Sequence, residues 1–60
     1  MTFVEIIAGR PDTVDLGYLT RSIKHRLDSK GIKGRATILE FAKIETTPMN
    51  EFFRVMYRVG

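Results

Sequence analysis

The clearest periodicity in the chain is the strict alternation of Glu51 to Val59 (EFFRVMYRV). Phe53, Val55, Tyr57 and Val59 fall on one side, and Phe52, Arg54, Met56 and Arg58 on the other. This two-residue repeat belongs to a β-strand with one core face and one face that mixes basic and apolar groups. Thr2 to Ala8 (TFVEIIA), ending at Gly9, is a second β-branched and aromatic run. Val4, Ile6 and Ala8 share one side, while Phe3 and Ile7 flank Glu5 on the other, so both sides are apolar, as in a strand covered twice. Arg35 to about Glu45 (RATILEFAKIE) repeats this two-sided pattern: Thr37, Leu39 and Phe41 alternate with Ala36, Ile38, Ala42 and Ile44, and Glu40 interrupts the second set.

Between the first two strand patterns the period changes. Leu16, Leu19, Ile23 and Leu27 recur at three-and-four spacing, which predicts a helix from about Thr13 to Ser29. Asp12 or Thr13 offers the N-cap oxygen, Asp15 in the first turn suits the helix dipole, and Gly31 followed by Ile32 reads as a glycine C-cap with its hydrophobic partner. Gly17 inside the helix costs roughly 1 kcal/mol against Ala and suggests a close backbone approach. Gly31 and Gly34 in GIKG are spaced like the GXXG loop of RNA-binding KH domains, but they join a helix to a strand, so the segment reads as a turn and cap. Thr46 to Asn50, with Pro48, reads as a five-residue hairpin loop.

The resulting fold is α+β: one βαββ domain over residues 1–60, with a three-stranded mixed sheet and one helix on one face. A right-handed β-α-β crossover would set the first two strands parallel, and the hairpin would add an antiparallel third. One helix covers one face only. Phe3, Ile7, Phe52 and Met56, or their register-shifted equivalents, would then form an open apolar patch of the kind monomers rarely tolerate. The simplest cover is a second copy, and a homodimer through the uncovered sheet face is the expectation.

Composition sharpens that expectation. A 60-residue chain buries only about 60% of the surface its unfolded form exposes, and such domains lean on disulfides, metals or oligomerisation. With no cysteine and a single histidine, His25, neither a disulfide framework nor a cysteine-based zinc site is open to it. The lack of cysteine fits a cytoplasmic setting. No apolar run approaches the roughly 18 residues of a membrane span, and Met1 to Ala8 carries Glu5 without a basic leader, so neither membrane insertion nor secretion is expected.

Net charge is +3 and the pI is near 9.7, which favours anionic partners. On the helix, Tyr18, Arg21 and His25 project opposite the leucine stripe, with Lys24 and Asp28 beside them. On the third strand, Arg54, Met56 and Arg58 form a row beside Phe52. These six, Tyr18, Arg21, His25, Arg54, Met56 and Arg58, are the candidate partner-contact residues, since aromatic and arginine side chains dominate binding hot spots. The plainer alternative pairs Arg54 and Arg58 with Glu5, Glu40 or Glu45 across the sheet. A nucleic-acid reading instead uses Arg21, Lys24, Lys33, Arg35, Arg54 and Arg58 against phosphates. No serine or threonine has a positioned base, and no cofactor or metal motif is present.

The chain length and β-α-β order, with GRPD between the first strand and the helix, resemble the small tautomerases of the 4-oxalocrotonate type. That resemblance implies oligomerisation through the sheets. The family's catalytic base is an N-terminal proline, and Thr2 stands in its place here, so the resemblance implies no activity. The expected function is therefore a non-enzymatic regulator or inhibitor that binds another protein's surface, with nucleic-acid binding as the alternative.

Overall fold

A computed structural model describes all 60 residues as β1 (Thr2–Gly9), α1 (Leu16–Ser29), β2 (Ala36–Thr46) and β3 (Glu51–Val59). The α+β class and the βαββ order are as the sequence predicts. The sheet differs in one respect. Its order is β1-β3-β2, and both ladders are antiparallel. β1 and β2 do run in the same direction, but β3 lies between them, so the expected parallel β1·β2 ladder never forms. Physically, β3 is the one strand with a clean apolar face, and that face belongs in the centre.

Register fixes which side chains meet. Phe3, Glu5 and Ile7 lie opposite Tyr57, Val55 and Phe53, on the helix side. Phe3 stacks on Tyr57 with ring centroids 5.5 Å apart. Ile7, Leu19, Ile23, Leu27, Phe53, Val55 and Tyr57 form the buried core, with Phe3, Val14, Tyr18, Ile32, Ala36, Ile38 and Val59 packed around it. Phe3 and Ile7 therefore leave the predicted open patch for the core, and Val4, Ile6 and Ala8 take the outer face instead.

β2 does not alternate throughout. Register shifts between Ile38 and Glu40 and between Lys43 and Glu45 insert Leu39 and Ile44 as β-bulges. Phe41 consequently faces the helix side with Ala36 and Ile38 and approaches Phe53 at 6.4 Å between ring centroids. A pattern read with period two cannot anticipate two inserted residues.

The helix begins later than predicted. Asp15, not Asp12 or Thr13, is the N-cap: its Oδ1 accepts from Tyr18 N at 2.8 Å. Asp12 and Thr13 belong to the preceding turn, where Asp12 has a positive φ of 65° and donates its N–H to the Glu51 carboxylate at 3.1 Å. Leu16, first in the helix, is 54% exposed and lies outside the core stripe. The C-terminal end matches expectation. Gly31 has φ 71°, its N–H bonds Asp28 O, and Ile32 N bonds Leu27 O at 2.9 Å while its side chain joins the core rim. These are the paired bonds of a Schellman cap.

Gly17 requires no close backbone approach; a Cβ there meets only the far ends of Arg21 and Asp15, at 3.3 and 3.4 Å. Gly31→Ala should thus cost about 1–2 kcal/mol, because an L side chain is strained in the left-handed region. Gly17→Ala should gain about 0.5 kcal/mol by restricting the unfolded chain. Chemical denaturation of the two variants, with opposite displacements of the midpoint, is the check.

Candidate functional site

β3 carries the candidate site on its outward row. Phe52 and Met56 are half-buried there, and Arg54 and Arg58 are exposed. Val4 faces Met56, Ile6 faces Arg54 and Ala8 faces Phe52 from β1, while Glu40, Ala42 and Glu45 sit opposite Met56, Arg54 and Phe52 from β2. Leu39 follows the inward Ile38 and Ile44 the inward Lys43, so alternation turns both outward. Val4, Ile6, Leu39 and Ile44 are between 47% and 54% exposed, too many large apolar groups on one sheet face for scattered surface residues.

No ion pair forms on this face. The molecule's ion pairs are Lys24–Asp28, Arg26–Glu5, Lys30–Glu5 and Lys43–Glu51. The cross-strand pairing of Arg54 and Arg58 with Glu5, Glu40 or Glu45 is therefore not what the structure contains. Glu5 lies on the opposite face, and Glu40 and Glu45 are offset along β2 from both arginines. Two free cations and two free carboxylates remain among the outward apolar groups.

The predicted contact set divides. Arg54, Met56 and Arg58 share the outer sheet face, whereas Tyr18, Arg21 and His25 lie on the helix side. Arg21 and His25 are exposed, as the projection indicates. Tyr18 is not an outward residue: it packs on the core rim, and its hydroxyl donates to Ala8 O at 2.9 Å. Val14 leaves no room for a side chain at Gly9, where a Cβ would lie 2.5 Å from Val14 Cγ2, and the Tyr18 ring crowds the same point at 3.1 Å from Cζ. Arg26, which the sequence reading passed over, donates to Ile6 O at 3.3 Å. Both carbonyls belong to the edge of β1 that faces away from β3, so α1 reaches over the sheet and occupies acceptors on which another strand would otherwise pair. Gly9 beside a tyrosine nine residues on was the only hint of this in the sequence.

The six cations of the nucleic-acid reading do not converge on one surface. Lys24 and Arg35 line a cleft of about 340 Å³ between α1 and the start of β2, together with Asp28, which pairs with Lys24. Arg21 lines a second cleft of about 380 Å³ with Tyr18, Ser22, His25 and Arg26 over Ile7 and Ala8 of β1. Arg54 and Arg58 are on the far side of the sheet, and Lys33 is exposed in the α1–β2 turn. No three His, Cys, Asp or Glu side chains converge as metal ligands, and no helix is long and apolar enough to cross a membrane. Compared with protein-family models, curated proteins and solved structures, the chain matches none.

The helix side also holds the molecule's main polar network. Glu5 accepts from Tyr57 Oη at 2.9 Å and Lys30 Nζ at 3.4 Å, with Arg26 at 3.6 Å. Burial alone would raise its carboxyl, but the Tyr57 bond and the Lys30 and Arg26 charges outweigh that and hold it below the ordinary value. Burial, followed by the Glu5 bond and charge, pushes the Tyr57 hydroxyl up to about 12. The stability carried by Tyr57 is fully present below its unfolded value near 10 and is lost as pH climbs towards about 12. That of Glu5 is present above the normal carboxylate range and is lost as pH falls through its lowered value. Stability followed by circular dichroism should accordingly decline from pH 10 upward, and more shallowly in Tyr57→Phe, which has no hydroxyl to ionise.

Proposed function

We propose that the chain is a non-enzymatic interaction module that pairs with a second copy through the outer face of its sheet. As a pair it acts on a target protein in the cytoplasm, as a regulator or inhibitor, by occupying the target's surface. The observation that carries the pairing is the charge content of that face. It bears Arg54 and Arg58 on β3 and Glu40 and Glu45 on β2, none of them in an ion pair within the chain, set among Val4, Ile6, Leu39, Ile44, Phe52 and Met56.

A face with equal numbers of free cations and carboxylates is complementary to itself. In a two-fold arrangement the arginines of one copy meet the glutamates of the other, while the apolar groups between them lose water. Size supports the same partner. The molecule's two longer dimensions are 35 and 19 Å. A face of that outline in each copy gives a two-sided contact on the order of 1,300 Å², at the lower end of stable interfaces. The helices then point away from the contact, leaving Arg21 and His25 available to a target.

Sedimentation at micromolar concentration should show a dimer. Met56→Glu should weaken it at least about tenfold by placing a carboxylate against apolar groups, with helical and strand signals unchanged. Arg54→Glu with Arg58→Glu should also dissociate it, and adding Glu40→Arg and Glu45→Arg should restore it. A stable monomer, or a dimer indifferent to these charge reversals, overturns the proposal. Tight, steeply salt-dependent association with an oligonucleotide would favour the nucleic-acid reading.

A further inference from the structure

The cleft along the free edge of β1 has a composition that the pairing of sheets does not use. Its wall carries Arg21, Ser22, His25 and Arg26, and no Asp or Glu lines it. Arg26 is engaged with Glu5 at 3.6 Å and with Ile6 O at 3.3 Å, whereas Arg21 makes no ion pair. The floor contributes a further donor. Ala8 O accepts the Tyr18 hydroxyl and so faces away from β3. In an antiparallel strand the N–H and C=O of one residue point to the same edge, which turns the Ala8 N–H towards the cleft as well.

We propose that this cleft binds an oxyanion group, the phosphate or carboxylate of a small ligand. Guanidinium, hydroxyl, imidazole and backbone N–H are the donor types that such oxygens accept from, and charge-assisted bonds to them are the strong ones. At about 380 Å³ the cleft is near the lower end of small-ligand sites, enough for the anionic group and a short body behind it. Arg21 supplies the uncompensated charge. Arg26, already fixed by Glu5 and Ile6, holds the wall in place.

The proposal needs only the folded chain, so its outcome is independent of whether two sheets pair. The test is a nitrogen-15 resonance titration with inorganic phosphate in one arm and citrate in the other. Expected are saturable shifts confined to Ala8, Ser22, His25 and the Arg21 and Arg26 side chains, in whichever arm carries the matching oxyanion. Arg21→Ala should weaken binding about tenfold, Arg21→Lys should recover part of it, and Arg35→Ala, in the other cleft, should leave it unchanged. Shifts that do not saturate in either arm overturn the proposal. So do equal losses for Arg21→Ala and Arg35→Ala, or binding of an oligonucleotide when neither small anion binds.

Discussion

One helix of 14 residues has to cover a sheet whose longest strand has 11. At 1.5 Å per residue the helix is about 21 Å long, and at about 3.3 Å per residue β2 is about 36 Å. The buried core therefore gathers where the helix lies, around Val55 and Tyr57. On the edge strand β2, Phe41 faces the helix side opposite Val55 yet stays 44% exposed. The shortfall on the covered face and the absence of any second helix for the other face have the same origin: the chain has too few residues to enclose its own apolar surface.

What could be read from the sequence was whatever obeyed a single period. The alternation of β3 placed Phe53, Val55 and Tyr57 inside and the arginines outside, and the three-and-four spacing placed Leu19, Ile23 and Leu27 against them. Strand pairing was not legible, because the β-α-β order fits a parallel neighbour as well as an interposed β3, and only the packing of a whole sheet decides between them. The bulges at Leu39 and Ile44 and the N-cap at Asp15 were hidden for a related reason: each depends on a local insertion or hydrogen bond that leaves the composition of the segment unchanged. For the candidate site, the Arg54–Met56–Arg58 row emerged intact. Tyr18 did not, since a tyrosine at an outward helical angle can still lean back onto a glycine.

The two edges of the sheet are treated differently. Along β1, the Tyr18 hydroxyl and the Arg26 guanidinium occupy outward carbonyls, and the helix shields the strand from further pairing. Along β2, protection comes from the two bulges, which disrupt the regular spacing a new strand would need. Both devices guard the sheet against edge-to-edge growth. Glu51, only 6% exposed, adds a tie at the hairpin end by holding Lys43 on β2 and the Asp12 N–H before the helix.

The central place of β3 also bears on how the chain reaches its fold. β3 is the last of the three strands to leave the ribosome, yet every native ladder contains it, and Thr2 must find Arg58. Until β3 emerges, β1, α1 and β2 have no native strand pairing to make and wait with their apolar residues unprotected. Folding should be governed by long loop closure and be correspondingly slow for so small a domain. During synthesis, the nascent chain is exposed to wrong partners for as long as its centre is missing.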